Sequence, residues 1–150
     1  MSTPHILFVC TTCASVWKEG KPQGISGGKK LLEQLFQQHK GWELNQKFLI
    51  QPVECMSACS HACAVSFAAA GKHTYVFGDL PYQTENLVET STAILECADL
   101  YCSKSDGLLA WSERPELLKK GVLARIPPLI FSDINDDKKG SNTEISGAIC

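Results

Sequence analysis

HILFVC, residues 5–10, is a short apolar run that lies between Pro4 and a pair of threonines. An apolar run of this length, bounded in this way, predicts a buried β-strand that ends at Cys10. A second run, KFLIQPV at residues 47–53, predicts another strand. Its Pro52 cannot donate a ladder hydrogen bond, so this strand lies at a sheet edge or its ladder ends there. Cysteines follow each of the two predicted strands at once.

The remaining periodicity predicts two main helices and a hairpin. The first helix starts near Ser26 and stops at Gly41, and the second starts at Thr84 and continues for about five turns. Residues 64–68 and 73–77 are predicted strands around a glycine-containing turn, so we expect them to pair as a hairpin. The predicted apolar faces are Leu31, Leu32, Leu35, Phe36 and His39 on the first helix, and Leu87, Val88, Ser91, Ile94, Leu95, Ala98, Tyr101 and Cys102 on the second.

The other segments are predicted to be less regular. Residues 18–28 contain four glycines and a proline, which predicts a loop. Residues 111–121 predict a short helix with Pro115 in its first turn, and ARIPPL at 124–129 is expected to prevent regular structure beyond it. The sequence therefore predicts an α/β fold: one domain with a central mixed sheet of about four strands, two main helices and a C-terminal extension.

Length and composition are those of a single globular domain. The chain has 150 residues, 44% of them hydrophobic and 20% charged, with a formal net charge of -2. We expect the domain to span residues 1–131, with the extension over 103–131, and a flexible polar tail over 132–150. The tail holds the excess of acidic residues, so nothing favours a nucleic-acid partner. Without a long apolar segment or a secretory signal, the chain is expected to be cytoplasmic and not bound to membranes.

Five cysteines follow the two predicted strands, in CTTC at residues 10–13 and in ECMSACSHAC at 54–63. If the strands are parallel neighbours, their ends meet at one edge of the sheet and bring the thiols together. Cytosolic cysteine clusters more often bind metal or do redox chemistry than form disulfides. A soft metal cation bound by several thiolates also neutralises their negative charge. The alternative is that small, apolar cysteines merely line the core.

The arrangement resembles the thioredoxin-like 2Fe-2S ferredoxins and the related subunit of respiratory complex I. In those proteins a cysteine ends the first strand, a second follows in a loop, and a C-x3-C pair lies downstream. Still more closely, FVCTTC, the C-x3-C-x3-C run, GKHTYVFGDL at 71–80 and DGLLAWSERPELL with ARIPP are similar to an uncharacterised bacterial family of predicted metal-binding proteins. That resemblance covers residues 5–128 and implies a thioredoxin-like sheet with an iron-sulfur site.

The expected cofactor is a 2Fe-2S cluster held by Cys10, Cys13, Cys55 and Cys59. Cys63 is an extra thiol beyond the ferredoxin pattern, and the second cysteine comes after only two residues instead of a longer loop. Cys63 is therefore a possible additional ligand, as is His61, although a surface histidine explains His61 more simply. Backbone N–H groups of the loops are expected to hydrogen-bond to the sulfurs and tune the potential, namely those of Thr11, Thr12, Met56, Ser57 and Ala58.

The expected function is one-electron transfer with a redox protein partner, in an electron carrier or metal-binding protein and not an enzyme. Related ferredoxins are often dimers, which makes a homodimer plausible. Two alternatives stay open. A zinc-binding or metal-handling protein would use the same four cysteines in a tetrahedral site. A thiol-disulfide oxidoreductase would use Cys10 and Cys13, but the glycines and proline after Cys13 argue against the helix that such a motif needs.

Other motifs carry weaker predictions. GISGGKK at 24–30 fails the phosphate-loop pattern, because Gln23 stands where the first glycine should be and Lys30 where a serine or threonine should bind magnesium. Cys97 and Cys102 are expected to be core residues, and Cys150 a free, oxidisable thiol in the tail. The remaining aromatic and basic candidates for a partner surface, which could equally be packed on the sheet, are Trp17, Trp111 and Arg114.

Overall fold

The computed structural model describes residues 4–129, and the predicted tail with Cys150 lies outside them. Five strands form the main sheet in the order β4-β1-β5-β6-β7, and β2 and β3 form a separate two-stranded hairpin. The strands are β1 (His5–Cys10), β2 (Val16–Lys18), β3 (Lys21–Gln23), β4 (Phe48–Val53), β5 (Val65–Ala68), β6 (Thr74–Phe77) and β7 (Val122–Ile126). The helices are α1 (Gly27–Lys40) and α2 (Leu87–Ser103), with short 3-10 turns at Cys59–His61, Thr84–Asn86, Trp111–Glu113 and Glu116–Leu118.

The pairing of β1 places the two cysteine motifs side by side. Strand β1 is parallel to β4, with Cys10 opposite Val53 at their shared carboxyl end. On its other side β1 is antiparallel to β5, and β5 pairs with β6 as the predicted hairpin. Both cysteine motifs begin at the same end of neighbouring strands. The pairing of β1 with β4 therefore places the two motifs next to each other.

The regular structure differs from the predictions in three places. The sheet has five strands, one more than the predicted count of about four, because Val122–Ile126 adds β7 beside β6 in a segment expected to be irregular, and the prolines end that strand only afterwards. The predicted loop at 18–28 contains most of the β2–β3 hairpin. Residues 111–121 form two 3-10 turns instead of one helix, since Pro115 lies between them and interrupts the hydrogen-bond ladder.

The two helices start and end largely as their capping residues predict. Ser26 caps α1 by accepting the Lys29 N–H on its hydroxyl, and Gly41 follows the last turn. The α-helical part of α2 begins at Leu87, after the 3-10 turn that holds Thr84. The assignment of Phe36 and Val88 to the buried faces of the helices is wrong. Both side chains are exposed, because each lies at the margin of its helix's apolar face.

Aromatic rings fill the centre of the core between the sheet and the helices. The rings of Phe48, Phe67, Phe77, Tyr75 and Tyr101 are all buried, and their neighbouring centroids lie 5.5–6.5 Å apart. Most pairs are tilted or edge-to-face, the arrangements that aromatic quadrupoles favour. This packing fixes β4, β5, β6 and α2 relative to one another.

A partly buried polar cluster closes the end of the sheet opposite the thiols. Lys72 Nζ lies 2.8 Å from His5 Nε2 and donates to the carbonyls of Tyr101 and Cys102 in the last turn of α2. Burial, then the Lys72 charge, lowers the pKa of His5 from its ordinary value of 6.5. Burial also lowers the pKa of Lys72, although nearby Cys102 and Asp106 act in the other direction. The cluster thus favours neutral His5 beside a helix-capping lysine.

We expect His5 to make the free energy of unfolding depend on pH. Because its pKa is lower in the folded protein, the unfolded chain binds more protons below pH 6.5, so stability is lost as the pH falls through that value. The loss levels off once the pH is below the folded pKa. Denaturant unfolding of the wild type and His5→Gln at a series of pH values between 8 and 5 measures the difference. A His73→Gln control should keep the wild-type slope, and an unchanged slope in His5→Gln would contradict the prediction.

Candidate functional site

The loop after β1 is tied to the end of β4 by three hydrogen bonds. The Thr11 N–H and hydroxyl both donate to the Val53 carbonyl, at 2.8 and 3.3 Å. The Thr12 hydroxyl donates to the Glu54 carbonyl at 2.6 Å. These contacts extend the parallel pairing of β1 and β4 past the last strand residues, and they hold the first cysteine loop against the start of the second.

Cys10 and Cys13 form a buried pair of thiols. Their exposed fractions are 1% and 2%, and their side chains hydrogen-bond to each other. Burial and the Cys10 thiol raise the pKa of Cys13 to about 12. Burial alone would raise the pKa of Cys10 as well, but hydrogen bonds from the Cys13 thiol and from backbone N–H groups lower it overall. Within the pair, Cys10 is therefore the sulfur better able to carry negative charge.

Backbone N–H groups surround the sulfur of Cys10. Those of Met56, Thr12 and Cys13 act on it as hydrogen-bond donors. Two other loop N–H groups were also predicted to bond to sulfur. The Ser57 N–H donates to Cys55 Sγ at 3.3 Å, whereas the Thr11 N–H donates to the Val53 carbonyl instead. Such N–H···S bonds stabilise negative charge on sulfur without a countercharge.

Cys55 and Cys59 form a second pair, which is exposed to solvent. The hydrogen bond to Cys55 is the largest effect that raises the pKa of Cys59, followed by the charges and burial around it. The loop between the two cysteines turns through Ser57, whose φ of 58° lies in the left-handed region, and Cys59 opens the 3-10 turn Cys59–His61. Cys10 also contributes to the electrostatics of Cys59, so the exposed pair lies beside the buried one.

Cys63, the fifth thiol, is completely buried behind the first pair. Its exposed fraction is 0%, and its backbone pairs in both directions with Leu80. Burial and the neighbouring Cys10 raise the pKa of Cys63 to about 12, and its charge in turn acts on Cys13. Cys63 thus belongs to the same cluster, but on its inner side.

His61 is directed to a carboxylate and not to the thiols. Its Nδ1 lies 3.0 and 3.2 Å from the two carboxylate oxygens of Asp79, and the Asp79 N–H donates to the His61 carbonyl. Both side chains are about half exposed. Sequence reasoning missed Asp79, although it lies only two residues after the end of β6, in the FGDL segment.

The N-terminus of α1 packs directly on the first cysteine loop. The Gly28 N–H donates to the Cys13 carbonyl at 2.9 Å, and the Ser26 hydroxyl donates to the Thr11 carbonyl. A Cβ at Gly28 would lie 2.1 Å from the Cys10 carbonyl oxygen, so only glycine fits there. The GISGGKK segment therefore does serve as a crossover into the helix, and its glycine pair, Gly27 and Gly28, permits contact with the thiol loop.

The structure therefore brings together all five thiols of the two motifs, as two pairs and one inner thiol. Within residues 4–129, no three histidine, cysteine, aspartate or glutamate side chains converge on a point where one metal ion would sit. Cys97 is a buried core residue and Cys102 is half-buried. Trp17 and Trp111 are exposed by 63% and 59%, so they are not packed on the sheet, whereas Arg114 is partly buried and donates to the Leu118 carbonyl.

A family model described as "Protein of unknown function (DUF1636)" matches residues 7–128. The chain belongs to this family. The matched range contains both cysteine motifs, the whole of the main sheet apart from the first two residues of β1, and both helices. No curated protein matches the chain. Neither helix of the described residues is long and apolar enough to cross a bilayer.

Among solved structures, one described as a thioredoxin-like 2Fe-2S ferredoxin from Aquifex aeolicus is similar to this chain. The TM-score is 0.51 at 18% identity, and the match covers 87% of this chain and 100% of the ferredoxin. At that identity the likeness concerns the fold. It confirms the predicted thioredoxin-like α/β class, with a mixed sheet and two main helices, for this member of the family.

Proposed function

We propose that this protein holds a 2Fe-2S cluster on Cys10, Cys13, Cys55 and Cys59 and acts as a one-electron carrier. The observation that carries the proposal is the pairing of the thiols. Two neighbouring cysteine pairs, one buried and one exposed, lie after the carboxyl ends of the adjacent parallel strands β1 and β4. The likeness in fold to a thioredoxin-like 2Fe-2S ferredoxin supports the same assignment.

Two pairs of thiols suit a binuclear centre better than a single ion. A tetrahedral zinc site places four sulfurs about 2.3 Å from one point, so all four must converge there. In a 2Fe-2S cluster the four cysteine thiolates need only be arranged as one pair for each metal. The chain offers one pair inside the protein and one at its surface, which fits the second requirement.

The protein's own residues have distinct tasks in this proposal. Cys10 and Cys13 exclude water from the inner half of the site because both are buried. The N–H groups of Met56, Thr12 and Ser57 hydrogen-bond to the sulfurs and stabilise added negative charge. When bound, the cluster supplies a reversible one-electron couple. Cys55 and Cys59 bring the outer half to the surface, where a partner protein can approach.

Cys63 is proposed as an inner neighbour and not as one of the four ligands. Cys10 with Cys13 and Cys55 with Cys59 already supply the two pairs, and Cys63 is completely buried outside both of them. Its place behind Cys10 and Cys13 instead keeps the inner wall of the site apolar. His61 is likewise placed outside the ligand set, since its Nδ1 is engaged by Asp79.

The oxidoreductase alternative has one observation in its favour and one against. The Cys10 and Cys13 pKa values move in opposite directions, as in a nucleophile and its partner thiol. However, a disulfide substrate must reach the nucleophile, and both thiols are at most 2% exposed. The hairpin β2–β3 also separates Cys13 from α1, so this pair does not begin a helix.

The visible spectrum and metal content of protein purified without oxygen test the proposal. We expect brown protein with about two iron and two acid-labile sulfide per chain, bleached by dithionite. Zinc is measured in the same samples. Colourless protein with one tightly bound zinc would replace the cluster with a zinc site. Metal-free protein with two thiols that react rapidly with a thiol reagent would favour the oxidoreductase.

A further inference from the structure

The hairpin β2–β3 is separate from the main sheet. It leaves the body directly after Cys13 and returns at Ser26, so it stands at the thiol end of the sheet. Glu19 and Gly20, with φ values of 52° and 75°, form the tight turn between its two strands. Both of its strands are exposed along their whole length. A two-stranded ribbon without core packing is only marginally stable in water, so binding of a partner to this surface would stabilise the hairpin.

Large apolar side chains are concentrated on this exposed segment. Val16, Trp17 and Ile25 are exposed by 57%, 63% and 53%. Exposed single apolar residues are common on proteins, but three of them within ten residues give this segment, beside a proposed redox site, an unusually apolar surface. Tryptophan is also among the residues that most often anchor protein–protein interfaces.

The charge around the hairpin has one predominant sign. Between residues 11 and 30 the chain carries four lysines, at 18, 21, 29 and 30, against Glu19 alone. In the described part of the chain, the ion pairs within 4.0 Å involve other residues, so these lysines are not neutralised by a neighbouring carboxylate. A cleft lined by Thr12, Ser15, Gln23 and Lys29 connects the hairpin to the first cysteine loop. The basic patch thus adjoins the thiol site.

From these observations we infer that the hairpin is the docking surface for a one-electron carrier protein with an acidic face. The inference rests on the proposed function, because a redox partner must bind close to the thiol site and the hairpin adjoins the first cysteine loop of that site. Lys18 and Lys21 attract the acidic face, and Trp17 forms the apolar contact at short range. In the transfer step the reduced centre loses one electron, and the oxidised partner gains it.

The test uses the loaded protein and oxidised flavodoxin, an acidic carrier whose flavin takes up one electron and one proton from water to form the neutral semiquinone. The double variant Lys18→Glu/Lys21→Glu is compared with the wild type by stopped-flow kinetics and by isothermal titration calorimetry. At low ionic strength we expect the double variant to lower the rate constant about tenfold and to weaken binding, because charge steering reverses. In the wild type, both the rate and the affinity should fall as salt is added.

Matched controls separate this surface from net charge and from general damage. Lys40→Glu/Lys47→Glu makes the same change in net charge; Lys40 lies in the last turn of α1, about 20 Å along the helix from its thiol-side start. Trp17→Ala should weaken binding even at high salt, whereas Trp111→Ala, at the other exposed tryptophan, should not. Equal rates and affinities in the hairpin variants and these controls would overturn the inference.

Iron and sulfide are measured in every variant before the kinetics. Wild-type protein without them would overturn the proposed function and the inference with it. If protein that contains iron and sulfide shows the same rate and affinity with and without the hairpin charges, the inferred docking surface alone is wrong. Tighter hairpin-dependent binding of a single-stranded oligonucleotide than of flavodoxin would assign the patch to nucleic acid instead, and would also overturn it.

Discussion

Replacing Cys59 with serine is expected to remove the visible colour, the iron and the sulfide together. Cys59 belongs to the exposed pair, so its loss leaves one metal with a single thiolate from this chain. A binuclear cluster that loses one of four thiolates is held by an incomplete set, and serine oxygen is a poor substitute for a soft thiolate. Iron, sulfide and the visible spectrum are measured on protein purified without oxygen. Cys55→Ser should give the same result.

The exposed pair is the best place for this experiment because its substitution does not disturb the core. Serine at Cys10 or Cys13 would bury a hydroxyl, which costs about 1–3 kcal/mol without a partner, so metal loss there could follow from misfolding. Cys63→Ala and Cys97→Ala are the controls, since both thiols are buried outside the proposed ligand set. They should keep iron and sulfide at the wild-type ratio. Full iron content in both Cys55→Ser and Cys59→Ser would place the site elsewhere.

Replacing Gly28 with alanine is expected to have the largest effect on stability. The new Cβ would lie 2.1 Å from the Cys10 carbonyl oxygen, a backbone atom that cannot rotate away. Either α1 moves off the first cysteine loop or the loop itself shifts, and overpacking of this kind costs about 1–3 kcal/mol or more. We expect a lower free energy of unfolding in denaturant for the metal-free protein. We also expect weaker cluster retention, because the same contact positions Cys10 and Cys13.

Gly41→Ala is the matched control for Gly28→Ala. Gly41 follows the last turn of the same helix, its φ is -98°, and a Cβ there meets nothing within 4 Å. Alanine at this position should leave stability unchanged or raise it slightly, because it reduces the entropy of the unfolded chain. Equal stability of the Gly28→Ala and Gly41→Ala proteins would show that the helix does not press on the thiol loop.

Local patterns in the sequence account for the main elements of the fold. Apolar runs of strand length gave β1, β4, β5 and β6, and capping residues gave the start and end of α1. The failures lie where the local pattern carries no signal. The five residues of β7 precede two prolines and are mostly exposed, so they lack the buried pattern of a strand and gain their structure from pairing with β6. The β2–β3 hairpin depends on a left-handed turn at Glu19, which its residue type does not predict.

For the site, the sequence indicated which cysteines are neighbours but not their environments. Parallel pairing of β1 and β4 follows from a resemblance and from the position of each cysteine motif after a strand. The difference between a buried Cys10/Cys13 pair and an exposed Cys55/Cys59 pair does not. It arises because α1 packs on the first loop through Gly28, whereas the loop between the other two cysteines turns outward through Ser57.

By itself, the sequence determined the thioredoxin-like α/β class and the meeting of two cysteine motifs at one end of the sheet. The α/β class depends on short-range patterns, namely apolar periodicity and capping. The thioredoxin-like form is what the resemblance implies, and the meeting of the motifs follows from the position of each cysteine motif after a strand. The tertiary structure alone decided which thiols are buried, that His61 is paired with Asp79, and that a basic, apolar hairpin stands beside the site. Burial and contact are properties of residues far apart in the chain, so only the packed molecule defines them.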